Sequence, residues 1–234
     1  MSSPPPTRAD YLDAYAALQV RTCELLSGDD GSLTVPSCPE WTVRDVVAHL
    51  VGLCEDWIQH RLDGYASESW TAQQIARHAD VSLADLLGRW TALVPEFAAL
   101  DDEPNVGPPA RWAFGDAVVH EADVRGALTA GRVPADAVML SLKGTIVRWR
   151  EVLAHADPPM TLIIRPTDGR EWILGAPNNP SIIASPTAYE LFRALAGRRS
   201  QEQVKGWPWS TDPAPILQLG LPYPFRWADT SITD

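Results

Sequence analysis

The feature that most constrains this chain is a change of period. Up to about residue 156, apolar residues recur at helical spacing; beyond it they come in short β-branched runs. The first pattern belongs to helices laid on a core, the second to strands. Five helical stretches can be read. The first covers about Arg8–Ser27, with Tyr11, Tyr15 and Leu18 at helical intervals. The second follows a turn at "VPSCPEW": Thr42 is its N-cap, Asp45 completes a variant capping box, and Val46, Leu50, Cys54 and Trp57 continue it. The third covers Ser82–Leu100, where Pro95 is expected to kink the helix or mark a restart. The fourth and fifth cover Arg111–Ala130 and Ala135–His155. The polar stretch 63–80 reads as loop with at most a short helical turn, and "DDEPNVGPP" as a break.

After "ADPP" the segment "MTLIIRPTDGREWILGA" reads as two short strands joined by "TDG", a hairpin signal, and "SIIAS" as a third strand. "TAYELFRALAGRR", entered after Pro186, is one amphipathic helix with Gly197 as its C-cap. The Pro- and Trp-rich tail from Lys205 onward reads as mostly extended or irregular. The fold class is therefore mainly α with a small α+β appendage: a helical domain over 8–157 and a small C-terminal α+β domain over 158–234.

The length of 234 residues suits one large unit with a small one, and 45% hydrophobic against 21% charged residues suits a packed core. A net charge of -11, without a Lys/Arg cluster, argues against a nucleic-acid partner. No apolar run approaches the roughly 18–20 residues that span a bilayer, so no membrane partner is expected. "MSSPPPTRAD" lacks the apolar stretch of a secretory leader, so the expectation is a cytoplasmic protein, monomer or homodimer. Cys23, Cys38 and Cys54 are odd in number and widely spaced, fitting neither a disulfide framework nor a CxxC pair.

One helix carries an unusual stripe. In "GDAVVHEADVRGAL", at about 100° per residue, Asp116, His120 and Asp123 lie within about 60° of one another, flanked by Val119 and Val124. Such a stripe is set against the core, where an ionised carboxylate must be paired or must bind a metal. Asp-x-x-x-His offers an oxygen and a nitrogen on one side of a helix, enough to grip a cation when a third ligand arrives from another element. A satisfied polar pair is the other reading. His49 in "VVAHLVG" is the best third donor, or else a hydrogen-bonded core histidine. Asp123 can orient His120. His60, His78 and His155 sit in polar settings and read as surface residues. Cys23 and Cys38 have no histidine partner in sequence and do not read as catalytic thiols.

Both motifs resemble a known family. "VPSCPEWTVRDVVAHLVGL" resembles the N-terminal motif of the DinB-like, mycothiol-dependent maleylpyruvate isomerase family: a Cys-Pro-x-Trp turn, a threonine cap and a helix ending in Ala-His-Leu. "GDAVVHEADVRGAL" resembles that family's second motif, an acid four residues before a histidine and an Asp three after it. The resemblance covers most of 8–156; "ELFRALAGRR" is similar in outline to the family's small C-terminal domain.

The resemblance implies a four-helix bundle holding a divalent metal, most often zinc, on His49, Asp116 and His120, with remaining positions open to water or a thiol. It also implies a metal-dependent transferase or isomerase that uses a low-molecular-weight thiol such as mycothiol on a small electrophilic substrate. Asp116 departs from the pattern, since the isomerases typically carry Glu there, one methylene longer. Asp123 and Arg125 are candidates to stand behind the ligands, though Arg125 equally reads as a surface arginine paired with Glu121 at i, i+4. Two rival readings share the fold: a non-enzymatic metal- or ligand-binding protein, and a metal-dependent hydrolase in which Asp123 or Glu121 serves as base to an activated water.

Overall fold

A computed structural model describes residues 4–101, 109–175, 181–222 and 224–234; all but the ends of the break expected at "DDEPNVGPP" lies outside them. The chain divides into two compact units, residues 1–133 with 234, and residues 134–233. The first unit contains α1 (Arg8–Leu25), β1 (Thr34–Val35), β2 (Cys38–Thr42), α2 (Val43–Ile58), α3 (Glu68–Arg77), α4 (Leu83–Ala98) and α5 (Pro109–Ala127). Helices α1, α5, α2 and α4 pack in that cyclic order, each against two others, which makes a four-helix bundle; α3 lies on α2. Thr42 starts α2 as the capping box predicts: its amide donates to Asp45 Oδ2 at 3.0 Å and its hydroxyl accepts from the Asp45 amide at 3.2 Å.

Helix α2 is the core element. Every residue from Val46 to Trp57 is buried, as expected of a helix covered on all sides. Gly52 explains how α3 comes so near. A Cβ there would lie 2.5 Å from Gln74 Cβ, so only glycine lets the two helices meet at this point. Below them Tyr15 joins α1 to α4: Trp90 Nε1 donates to its hydroxyl at 2.9 Å, and Cys54 Sγ lies 3.4 Å away. Burial pushes the Cys54 thiol up to about 12 and raises Tyr15 well above its ordinary value, so both stay neutral.

Glu55 and Asp56, also on α2, are buried carboxylates that need cations. Asp56 accepts from Arg61 Nε at 2.8 Å and Arg77 Nη1 at 2.7 Å. Burial alone would raise the Asp56 carboxyl, but hydrogen bonds from Arg77, Gln74 and Arg61 outweigh it and hold the group below the usual value. Glu55 accepts from Arg89 and lies 3.2 Å from His78 Nε2. His78 is therefore buried, not at the surface as its polar neighbours in sequence suggested.

The second unit contains α6 (Ala135–Ala154), β3 (Thr161–Ile164), β4 (Trp172–Gly175), β5 (Ser181–Ala184), α7 (Ala188–Leu195), α8 (Gln201–Lys205) and α9 (Ala214–Gln218). The sheet order is β4-β3-β5; β3 pairs antiparallel with β4 and parallel with β5. Helix α6 packs on β4 and α7. Ala194, Val204 and Leu217 form a small core under Trp207, Trp209 and Trp227. Gly197 follows α7 at φ +75, the left-handed position that ends a helix.

Three expectations change. The stretch 63–80 contains a ten-residue helix, α3, capped by Ser67. It is short and mostly polar, and only Trp70 and Gln74 of it are buried, so no long apolar stripe marks it in the sequence. Helix α4 runs through Pro95 without a break, held on both sides of it by buried Trp90 and Phe97. The tail also contains one helical turn, α9, and α8 just precedes it, each too short for a periodic signal.

Gly52→Val is expected to lower the unfolding free energy by about 1–3 kcal/mol through overpacking against α3. Gly88→Ala on α4, where an added Cβ meets nothing within 4 Å, is expected to raise it by about 0.5–1 kcal/mol. Urea unfolding of both variants checks the pair; a Gly52→Val as stable as wild type would refute the close approach. His78 supplies a pH test. Burial lowers its proton affinity, Glu55 opposes this, and Arg89 and Arg77 reinforce it, leaving the group below 6.5. The unfolded chain then takes up the proton first, so the contribution is intact above about pH 6.5 and is lost as pH falls through the folded value. Wild type should lose stability between about pH 7.5 and about pH 5, and His78→Gln should lose less of it. Identical slopes would rule His78 out as the cause.

Candidate metal centre

Three side chains converge at one point of the first unit. Helix α2 presents His49, and α5 presents Asp116 and His120 one turn apart. His49 Nε2 lies 2.9 Å from Asp116 Oδ2, and His120 Nε2 lies 3.9 Å from Asp116 Oδ1. One donor atom from each falls within 4.8 Å of the others. Metal bonds of about 2 Å at tetrahedral angles set donors about 3.3 Å apart, which the two measured separations bracket. Both histidines are buried, while the Asp116 side chain is 35% exposed and forms the wet side of the group.

The hydrogen bonding of His49 tests whether these residues suit a cation. Its Nδ1 lies 2.7 Å from Gln74 Oε1. The Gln74 amide cannot be turned round, because its Nε2 donates to Asp56 Oδ2 at 2.8 Å and reversal would set oxygen against oxygen. His49 must therefore carry hydrogen on Nδ1, and its Nε2 faces a carboxylate. An imidazole lone pair and a carboxylate oxygen at that distance need a positive centre between them, a proton or a metal ion. The donor set fits a divalent metal.

His120 is held from its other side. Its Nδ1 lies 3.1 Å from Asp123 Oδ2, although the two are not aligned as a hydrogen bond. Asp123 is fully buried and accepts from the Ser37 hydroxyl at 2.7 Å; Cys38 Sγ lies 3.8 Å from its Oδ2. Asp123 thus stands behind His120, where the spacing placed it. The β1–β2 hairpin, expected only as a turn, brings Ser37 and Cys38 there and lays Trp41 over the pair of histidines. The indole centroid is 5.4 Å from His49 and 5.7 Å from His120, nearly parallel to the latter at 26°. Cys38, His120 and Asp123 form a second overlapping set of ligand atoms within 4.8 Å, so Cys38 does have a histidine neighbour, supplied by the hairpin rather than by local spacing. In this set the carboxylate is already engaged by the Ser37 hydroxyl.

Arg125 makes the pair with Glu121, though as a part-buried residue rather than a surface one. Its Nε donates to Glu121 Oε1 at 3.0 Å, and Arg21 grips the same carboxylate at 2.8 Å. Glu121 is fully buried between these guanidiniums, which removes it as a base for activated water. Arg199, in the second unit, pairs with Glu190. Sequence reasoning missed Gln74 and Trp41. Gln74 lies in the stretch read as loop; for Trp41 the Cys-Pro-x-Trp turn was a signal, but not of what the ring covers.

Comparison with known proteins places the chain by family and by fold. The family model for the mycothiol maleylpyruvate isomerase N-terminal domain matches residues 12–157. The crystal structure of the mycothiol-dependent maleylpyruvate isomerase superposes with a TM-score of 0.55 at 14% identity, over 88% of this chain and 94% of that one. A crystal structure of a histidine-to-alanine mutant of the mycothiol-dependent maleylpyruvate isomerase gives a TM-score of 0.54 at 13% identity with the same coverage. At such identities the likeness is one of fold. No curated protein matches the chain.

Proposed function

The chain belongs to the mycothiol maleylpyruvate isomerase N-terminal domain family, and from that premise we propose that it is a metal-dependent enzyme, an isomerase or S-transferase that brings a low-molecular-weight thiol such as mycothiol to a small electrophilic substrate. The observation that carries this reading is the convergence of His49, Asp116 and His120, with an acceptor on each nitrogen of His49. Two imidazoles and one carboxylate make a donor set of the catalytic zinc kind, with a further position left open. Zinc is therefore the ion we assign. When bound, it supplies the charge that holds an incoming thiol as thiolate.

The chain's own residues prepare that position. Two neutral imidazoles and one carboxylate leave a divalent site with net positive charge, so an anionic partner is favoured over a neutral one. Trp41 lies against both imidazoles and bounds the site on that side. Asp116, the exposed member, marks the side on which we place thiol entry. Asp116 already reaches His49 at 2.9 Å, so the acid one methylene shorter than Glu remains within reach of the ligand set. In an isomerase, the thiolate sulfur bonds one carbon of an activated double bond and the π pair moves onto the activating carbonyl oxygen, to return when the sulfur leaves. The carbon–carbon bond, now single, turns; the carbon–sulfur bond then breaks and the thiol is returned. An S-transferase keeps the adduct.

Among the described residues no helix is long and apolar enough to cross a membrane. The three free cysteines suit a reducing compartment, and we place the protein in the cytoplasm.

Metal analysis of purified wild type beside His49→Ala and His120→Ala tests the site. We expect about one divalent ion per wild-type chain and near-complete loss in each variant. Full retention in either variant would remove that histidine from the site. Consumption of thiol with a model electrophile tests the activity: it should follow metal content. A metal-loaded protein without turnover would instead be a binding protein of this fold.

A further inference from the structure

We infer that Gln74 on α3 is a positioning residue for His49, fixing which of its nitrogens faces the cation, and that Asp56 with Arg61 and Arg77 fixes Gln74 in turn. The inference rests on the reading of His49 as a metal ligand. Its links are geometric. Gln74 is fully buried, with its oxygen 2.7 Å from His49 Nδ1 and its amide nitrogen donating to Asp56 Oδ2 at 2.8 Å. Asp56 accepts from Arg61 Nε at 2.8 Å and from Arg77 at 2.7 and 3.2 Å. The chain of contacts runs from part-exposed guanidiniums to a buried imidazole without a gap.

Each link has a directional consequence. The two arginines keep Asp56 ionised, and an ionised Asp56 can only accept. Gln74 must then turn its NH2 to Asp56 and its oxygen to His49. An oxygen on Nδ1 demands the Nδ1–H tautomer, leaving the Nε2 lone pair for the ion and strengthening it as a donor. Gly52 completes the arrangement, since a side chain there would push Gln74 away. The two histidines are thus supported differently. His120 has the carboxylate of Asp123 directly behind it at 3.1 Å, whereas His49 has an amide that relays a carboxylate.

The test uses the full chain and Zn2+ as the probe. Chelator competition should give Gln74→Leu an affinity about 10–100-fold weaker than wild type. Gln74→Glu paired with Asp56→Asn, which keeps an acceptor on Nδ1 and turns an amide donor toward it, should stay nearer wild type than Asp56→Asn alone. In the Zn2+-loaded wild type, long-range 1H–15N spectra should show a protected Nδ1–H on His49, and Gln74→Leu should lose that protection. Asp56→Asn leaves Gln74 in place but frees its amide to turn, and should weaken affinity in the same direction; it carries the test if Gln74→Leu does not fold. Thermal unfolding of the metal-free proteins separates a merely structural role. A Gln74→Leu that is less stable yet binds Zn2+ as wild type does would overturn the inference while leaving the metal reading intact. The same holds for Asp56→Asn with unchanged affinity. A wild type that takes up no Zn2+ would overturn both.

Discussion

Helix α2 buries an imidazole and two carboxylates among valines and leucines, and the rest of the first unit is arranged to answer them. Taking one partner from a buried ion pair costs about 3–5 kcal/mol, because the charge left behind is stranded. His49, Glu55 and Asp56 therefore dictate what must surround α2. Helix α3 brings Gln74 and Arg77 and ends on His78; α4 brings Arg89; the turn after α2 brings Arg61; α5 brings Asp116. Apolar packing would let these helices slide against one another. Hydrogen bonds between buried polar groups do not.

The cations chosen for this task are all arginines. Lys143 and Lys205 are the only lysines among nineteen basic residues, and both buried carboxylates of α2, like Glu121 on α5, are gripped by guanidiniums. A guanidinium offers a planar fork that matches a carboxylate and sheds water more readily than an ammonium. An acidic chain can thus bury carboxylates in its bundle without leaving one bare. The networks differ in purpose. Glu121 with Arg21 and Arg125 ties α1 to α5, whereas Asp56 with Arg61 and Arg77 leads through Gln74 to the histidine pair.

What was legible in the sequence was whatever repeats locally. The capping box at Thr42 and Asp45, the helical spacing of α2, α4 and α5, and the "TDG" hairpin all depend on residues within a few positions of each other. His49, Asp116 and His120 were legible for a related reason: two sit at i, i+4 and the third on a helix with an unmistakable apolar body. The structure brings these three together. What escaped was set by tertiary contact. Helix α3 contributes a buried amide rather than an apolar stripe. His78 is buried by charges, so its polar setting in sequence pointed the wrong way. Cys38 and Trp41 reach the histidines through a hairpin with strands of two and five residues, punctuated by prolines, that has no room for an alternating pattern.

Helix α6 carries a consequence of its own. By likeness to the family it belongs with the helices of the bundle, since the match runs to residue 157. By packing it belongs with the C-terminal sheet, since its compact unit begins at Pro134 and its face meets β4 and α7. The border of descent and the border of cohesion are thus a helix apart. A protein cut at 157 would part α6, with its buried Leu142, Ile146, Trp149 and Leu153, from the β4 and α7 on which the helix packs. The compact C-terminal unit thus begins some twenty residues before the family match ends.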